Sequence, residues 1–325
     1  MAKITYLLGA GASFGERTED GNIVRGVPIV SEFRKAISRL NTLLGGNNRD
    51  ASDLRKMRLY DELKWLGDNC DSYPTIDTYA KMLFVTKRSE EYERIKRTLT
   101  LFLLLHQINT QRDLRYDGFI ASLIDQKGRF PNIDILTWNY DAQFEMAYAD
   151  YSKKGKYLPY IWDELNVINK TIGTGKIYET GFSITKLNGM ALFVDRDDNK
   201  LIDLINGGYE KDIRLEIDNI ILYRRLYENT LSYAWERNND FVAKVAERVK
   251  NTSSLVVIGY SFPYVNREID RTIIQNMHLL ERIYIQDPYA NEIKESVEAI
   301  LSDKVSKVNI ITKTNTKQFF IPNEL

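Results

Sequence analysis

Four short stretches of this chain place residues capable of chemistry at the end of an expected strand. The first is Gly9-Ala10-Gly11-Ala12-Ser13, entered from the apolar run Ile4-Thr5-Tyr6-Leu7-Leu8. Two glycines separated by one alanine keep a turn narrow, so that its peptide N–H groups can face a phosphate, and Ser13 adds a hydroxyl. Both glycines can take positive φ. The second stretch is Asn139-Tyr140-Asp141, after Asn132-Ile133-Asp134-Ile135-Leu136-Thr137 and Trp138. A carboxamide and a carboxylate two residues apart can orient a hydroxyl or a water and accept a proton. The third is Asn188-Gly189, after the strand expected from Phe182 to Leu187. The fourth is Gly259-Tyr260-Ser261, after Leu255-Val256-Val257-Ile258, and Asp287-Pro288 ends the next strand, Arg282 to Gln286. Ligands of open α/β sheets bind outside the carboxyl ends of the strands, which gives all of these residues one destination.

Each also has a plain structural reading. Asn139 suits a left-handed turn, Asp141 the N-cap of a helix beginning near Ala142, Ser261 a cap before Pro263 and Asp287 a turn before Pro288. His106, within Leu103-Leu104-Leu105-His106-Gln107, reads as a satisfied core histidine, His278 as structural, and Asp77 as the cap of the helix that follows it.

The elements that hold these stretches alternate between buried strands and amphipathic helices, which gives an α/β class with a doubly wound, mainly parallel, Rossmann-like sheet. Ser31 is expected to cap a helix reaching about Leu44, after a polar loop, Glu16 to Gly26, that suits a mobile lid. Gly45-Gly46-Asn47-Asn48 marks a break. From Ala51 to about Gln126 the apolar spacing is helical (Leu54, Met57 and Leu63; Ile76, Tyr79, Ala80 and Leu83; Leu99 and Leu101 to Leu105; Phe119, Ile120 and Leu123). Residues 151–181 give no clear element, a strand is expected at Met190 to Val194, and a helix from Arg224 to Lys250. The organisation is one domain over 1–325, with a helical insertion at about 48–127 and a second, irregular or helical one at about 151–235. The long loop after the glycine turn, and no acidic residue ending a second strand nearby, make the ordinary dehydrogenase fingerprint a poor match; a nicotinamide-dependent oxidoreductase is the weakest reading.

Composition bounds the rest. The 325 residues hold 45 Lys+Arg and 45 Asp+Glu, so no global charge argues for nucleic acid or an anionic membrane. One cysteine, Cys70, and two histidines build neither an internal disulfide nor a cysteine-rich zinc site, so no metal is expected. The start, Met-Ala-Lys-Ile-Thr, runs into the first strand without a signal-like apolar stretch, and a cytoplasmic setting is the expectation.

The four strand ends, in this order, resemble the sirtuin superfamily, and more closely its bacterial sirtuin-like branch associated with NAD+ hydrolysis and phage defence than its protein deacylases. Gly9 to Ser13 is similar to the family's phosphate loop, Asn139-Tyr140-Asp141 to the Asn-x-Asp end of its central strand, and Gly259-Tyr260-Ser261 to the Gly-x-Ser turn beside the cofactor. The resemblance implies cleavage of NAD+ to nicotinamide and ADP-ribose, with Asn139, Asp141 and Asn188 catalytic. It also implies that the dinucleotide is held by Gly9, Ala10, Gly11, Ala12, Ser13, Gly259, Ser261 and Asp287. Regulation by a homo-oligomer or a protein partner is implied as well; Leu99 to Leu105, which reads as a buried helix face, and the tyrosine-rich middle could supply its contacts. Two departures qualify it. The single cysteine rules out the deacylases' four-cysteine zinc module, which the helical insertion is expected to replace. Asn188 stands where the family commonly has a histidine, and an amide is no base near neutral pH. The alternative implied is a catalytically weak subunit that binds NAD+ or ADP-ribose and acts through a partner.

Overall fold

The computed structural model describes residues 3–43, 54–173, 175–177, 180–195, 201–202, 226–227, 230–236 and 238–325. The expected break at Gly45 to Asn48 and much of the stretch between Val194 and Thr230 lie outside the described residues. Numbered along the chain, the strands are β1 (Ile4–Leu8), β2 (Glu16–Arg17), β3 (Ile23–Arg25), β4 (Ile133–Thr137), β5 (Val167–Asn169), β6 (Ser183–Lys186), β7 (Phe193–Asp195), β8 (Leu201–Ile202), β9 (Leu226–Tyr227), β10 (Ser254–Ile258), β11 (Arg282–Gln286) and β12 (Asn309–Lys313).

Seven of them form one sheet in the order β12-β11-β10-β1-β4-β6-β5, and every neighbouring pair is parallel. The chain leaves β1 for β4, β5 and β6 on one side and returns to β10, β11 and β12 on the other, so the winding reverses at β1. This is the doubly wound α/β arrangement, in which ligands are expected at the reversal, outside the carboxyl ends of β1 and its neighbours. The registers align those ends. Leu8 pairs with Thr137 and with Ile258, Thr137 with Lys186, and Ile258 with Gln286. Covered on both faces, β1, β4 and β10 are buried along their whole length, which is why they read as apolar runs rather than alternating ones.

The chain divides into two compact units. Unit 1 joins Met1–Ser13, Asp113–Gly189 and Ser232–Leu325 and contains the seven-stranded sheet. Its apolar core packs Val257, Ile283 and Ile285 of the sheet with Val245, Ile273 and Val297 from the helices Asn239–Val249, Arg267–Gln275 and Ala290–Leu301. Near the amino ends of the strands, the buried carboxylate of Asp134 accepts from Arg248 Nε at 2.6 Å and from Ser183 Oγ at 2.8 Å, with Lys3 Nζ at 2.9 Å. That cluster ties the helix Asn239–Val249 to β4 and β6 at the end opposite the crevice.

Unit 2 joins Phe14–Arg112 and Met190–Leu231. It contains the helices Phe33–Leu43, Leu54–Ser72, Ile76–Val85 and Ser89–Asn109, the β2–β3 hairpin, and a small antiparallel sheet ordered β8-β7-β9. Leu99, Phe102, Leu103, Leu104 and Leu105 are buried inside the chain, so this face is not the source of partner contacts that the sequence suggested.

Several local expectations are corrected. Glu16 to Gly26 is a hairpin rather than an open loop, because Arg17 ties its ends: the guanidinium donates to Glu32 at 2.8 Å, to Arg25 O at 3.0 Å and to Val27 O at 3.1 Å. Ser31 caps no helix; it lies in a 3₁₀ turn, Val30–Glu32, where Glu32 accepts the Ile29 N–H at 3.0 Å. Thr75, not Asp77, caps the helix Ile76–Val85 through a bond from Thr78 N–H at 3.0 Å. The last large helix before β10 starts at Asn239 with Asn238 as its cap, not near Arg224. The strand expected at Met190 to Val194 appears as β7, outside the main sheet. His106 is buried as expected, with Nε2 3.3 Å from Gly26 O, and burial lowers its pKa to about 4.

Candidate functional site

Every residue singled out for the site lies in unit 1, and the sheet register brings them to one level. Gly9, Trp138, Leu187 and Gly259 directly follow the paired residues Leu8, Thr137, Lys186 and Ile258. Asn139 and Asn188 therefore each stand two residues beyond a paired Thr137 and Lys186 on adjacent strands.

The glycine turn is built for contact between two backbones. Neither Gly9 nor Gly11 uses the positive φ open to a glycine; that conformation belongs to Gly259, at +58°. A Cβ on Gly9 would lie 2.6 Å from Gly259 O, and one on Gly11 2.7 Å from Gly259 Cα. The missing side chains let the β1 turn seat directly on the β10 turn. Gly9 N–H donates to Ile258 O at 3.0 Å, Gly11 N–H to Gly259 O at 2.9 Å and Ala12 N–H to Gly9 O at 2.9 Å. Three amides expected to face a phosphate are thus bonded within the protein, and Ala10 is the exposed residue of the turn. Arg115 braces it from below, its guanidinium donating to Gly11 O and Ala12 O at 3.1 Å each while paired with Asp113.

Ser13 also differs from expectation. Its hydroxyl is buried, 2.9 Å from Tyr116 Oη, and accepts from Asn139 Nδ2 at 3.1 Å, so it serves an internal network rather than an open phosphate cradle. Asn139 Nδ2 donates in addition to Gly9 O at 2.8 Å. A main-chain carbonyl can only accept, which fixes the nitrogen of the amide on this side. Both amide protons are then used, which leaves Oδ1 as the acceptor of this side chain.

Asp141 is not the N-cap of the helix Gln143–Tyr148, a place that Ala142 takes, but its Oδ1 accepts the Gln143 N–H at 3.0 Å. Burial raises its pKa above the usual carboxylate range, opposed by the Lys186 ammonium and by the bond from Gln143. Lys186, the last residue of β6, donates to Asp141 O at 2.8 Å and to Glu145 Oε2 at 3.1 Å, with Oε1 at 2.9 Å. Asn188 donates Nδ2 to Tyr140 Oη at 3.4 Å, while its buried Oδ1 has no hydrogen-bond partner among the described residues.

On the far side of β1, the β10 turn is held by a buried carboxylate. Asp270 accepts from Tyr260 Oη at 2.7 Å and Trp138 Nε1 at 3.1 Å, and Asn266 Nδ2 donates to Tyr260 Oη at 3.0 Å. Burial raises Asp270 to about 7, even against these two donors. Ser261 is exposed, and Asp287 caps its own turn by accepting the Tyr289 N–H at 2.8 Å.

The residues thus fall into two groups. Gly9, Ser13 and Asn139 are joined by direct hydrogen bonds, Asp141 lies two residues beyond Asn139, and Gly259 packs on the glycine turn, whereas Ser261 and Asp287 stand at the ends of β10 and β11, apart from that network. Arg115, Tyr116, Lys186 and Asp270 were not singled out from the sequence. Lys186 alone carried a signal, a charge ending a buried strand two residues before Asn188. A separate cavity of about 330 Å³ lies in unit 2, lined by Ile23, Val24, Leu40, Leu43, Arg39 and His106 among others, and holds none of these site residues. The polar groups suited to sugar and phosphate are at the strand ends, which we take as the site. Among the described residues no cluster of His, Cys, Asp and Glu is placed to hold a metal, and no helix is long and apolar enough to cross a membrane.

A family model described as a SIR2-like domain matches residues 134–305, just over half of the chain. The match covers Asn139, Asp141, Asn188, Gly259, Ser261 and Asp287 and begins after the glycine turn. No curated protein matches the chain.

Proposed function

The chain belongs to the SIR2-like family, and from that membership we propose that it is an NAD+ hydrolase, cleaving the nicotinamide–ribose bond to give nicotinamide and ADP-ribose. The observation that carries this reading is the pair of carboxamides at the aligned ends of β4 and β6. Asn139 is locked with its nitrogen toward Gly9 O and Ser13 Oγ and its Oδ1 as the remaining acceptor, and Asn188 keeps a buried Oδ1 without a partner among the described residues. Two such acceptors fit the hydroxyl groups of a ribose, and a buried acceptor left unpaired costs about 1–3 kcal/mol that a hydroxyl donor would recover.

The reaction asks little of a base. The C1′–N bond breaks toward a nicotinamide that is already a cation and leaves neutral, the ribose passes through an oxocarbenium-like state, and water adds at C1′ with loss of one proton. Asn139 and Asn188 orient the ribose and the water. Asp141 supplies negative potential and, with its raised pKa, a site for the proton. Without a histidine the turnover is slower by part of the ~10²–10⁴-fold that general acid–base catalysis supplies. The phosphates run past the Ala10 side of the glycine turn, toward the adenosine half at Gly259, Ser261 and Asp287. Such an enzyme suits a regulated cytoplasmic effector of antiphage defence by NAD+ depletion, held in check by a homo-oligomer or a protein partner. Asn188 favours a second reading, a weak NAD+ or ADP-ribose-binding subunit that acts through a partner.

Release of nicotinamide and ADP-ribose from NAD+ by the purified protein, beside Asn139→Ala and Asn188→His, tests both. Product that falls at least about 100-fold in Asn139→Ala is expected for the hydrolase. Binding of ADP-ribose with no turnover in wild type, and turnover gained only in Asn188→His, would replace it with the second reading.

A further inference from the structure

We propose that unit 2 carries a ligand site of its own, the cavity along the helix Phe33–Leu43, and that this site takes a small monocarboxylate with an apolar body. It is independent of the reading of the strand ends. All of its lining falls within Phe14–Arg112, and none of it is a residue assigned to NAD+.

Two ties hold the β2–β3 hairpin to the start of this helix. At the base of the hairpin, Arg17 donates to Glu32 Oε1 and Oε2 at 2.8 Å each, one residue before the helix begins. At its tip, Lys35 Nζ donates to Asp20 O at 2.7 Å and to Gly21 O at 3.2 Å. The cavity of about 330 Å³ is lined from the hairpin by Ile23 and Val24. From the helix come two rows at the i, i+4, i+7 spacing of one face: Ala36, Leu40 and Leu43, and beside them Lys35, Arg39 and Thr42. One row is apolar and the other polar. Leu43 and Val24 stay 46% and 40% exposed, so the chain leaves this apolar surface to water. The volume lies at the lower end of small-molecule sites, which run from about 300 to 1,000 Å³.

The charges select the ligand. Glu32 is matched by Arg17, and the Lys35 ammonium is engaged by the two hairpin carbonyls. Arg39 is exposed and makes no hydrogen bond or ion pair with any described residue. His106, near the end of the helix Ser89–Asn109, adds no charge near pH 7, since burial lowers its pKa to about 4. An open guanidinium beside an apolar row matches a carboxylate on an apolar body: the planar fork receives both carboxylate oxygens while the hydrocarbon covers Leu40 and Leu43. A compact oxyanion such as phosphate would leave that row in water, and a neutral ligand would leave Arg39 unpaired.

Hexanoate and its neutral isostere hexanamide test this on the full chain by saturation-transfer NMR, with inorganic phosphate as the compact anion. Hexanoate is expected to bind in the millimolar range, and hexanamide at least about 10-fold more weakly. Arg39→Gln, at an exposed position, should weaken hexanoate about 10-fold and leave hexanamide within about twofold. Leu43→Gln should weaken both by about three- to fivefold. Thermal midpoints within about 2 °C of wild type show that both variants are folded. The comparison of acid with amide uses wild type alone and stands where a variant does not fold. No hexanoate binding at up to about 20 mM, equal binding of acid and amide, displacement by equimolar phosphate, or hexanoate binding unmoved in a folded Arg39→Gln would each overturn the proposal. Hexanoate displaced by ADP-ribose would put it at the strand ends and overturn the proposal as well. A wild-type protein that cleaves no NAD+ sinks the hydrolase reading and leaves this test standing.

Discussion

Asp270 gives the most quantitative prediction. Its carboxylate is buried beneath the β10 turn, bonded to two neutral donors, and its pKa is raised from the usual 3.8 to about 7. Since the folded value exceeds the unfolded one, the folded chain keeps a proton that the unfolded chain has already lost. The stability contribution is therefore complete below about pH 4 and is lost as pH rises through 7. A shift of about three units corresponds to about 4 kcal/mol over the whole range, of which roughly 3 kcal/mol falls between pH 5 and 8. Asp270→Asn abolishes this titration. The amide keeps one acceptor for Trp138 and meets Tyr260 with a donor instead, a mismatch of about 1 kcal/mol that does not depend on pH. Urea unfolding of both proteins from pH 5 to 8, followed by tryptophan fluorescence, reads the difference; His106 and Asp77 titrate in both and cancel. The variant should be the less stable protein at pH 5 and gain on wild type by about 3 kcal/mol at pH 8. A difference constant within about 0.5 kcal/mol would show that Asp270 ionises as an exposed carboxylate does, and the account of the β10 turn would fail.

Two further outcomes follow from the packing. Gly259→Ala places a Cβ 2.3 Å from Ala12 N at a φ of +58°, so it should lower stability by about 2–4 kcal/mol in denaturant unfolding, and a loss under about 0.5 kcal/mol would refute the backbone-contact reading of the turn. His106, lowered to about 4, makes unit 2 lose stability as pH falls from 6.5 toward 4, by up to about 3 kcal/mol; His106→Gln should remove that slope when acid unfolding is monitored by hydrogen exchange.

Much of the sheet was legible because parallel strands buried on both faces leave continuous apolar runs, as at Ile4–Leu8 and Ser254–Ile258. β5 was not, since Val167–Asn169 is too short to show any period. Boundaries failed where a side-chain bond decided them: Arg17 closes the hairpin that read as a loop, and Glu32, accepting the Ile29 N–H, organises a 3₁₀ turn where Ser31 was expected to cap a helix. The strand-end residues of the site were visible one by one, since glycine, asparagine and aspartate are rare inside buried strands. Their partners were not. Nothing local to Asp113-Leu114-Arg115 indicates that Arg115 holds two carbonyls of a turn a hundred residues earlier, and Tyr116 reads simply as a core aromatic.

The glycines show most clearly how a motif can be right in position and different in cause. Gly9 and Gly11 were read as openings for a phosphate, yet their amides are bonded to the carbonyls of Ile258 and Gly259. What the turn gains from them is proximity: Gly259 and Tyr260 lie against β1, and Trp138 and Tyr260 reach the same Asp270. The turns after β1, β4 and β10 are thereby fixed to one another before any ligand arrives. If the site cleaves NAD+ as proposed, with an amide rather than a base at position 188, such preorganisation is what remains to stabilise a cationic ribose, because fixed dipoles need no rearrangement when charge develops. Under the proposed reading, variants that loosen these turns without touching a ligand should then cost kcat more than KM.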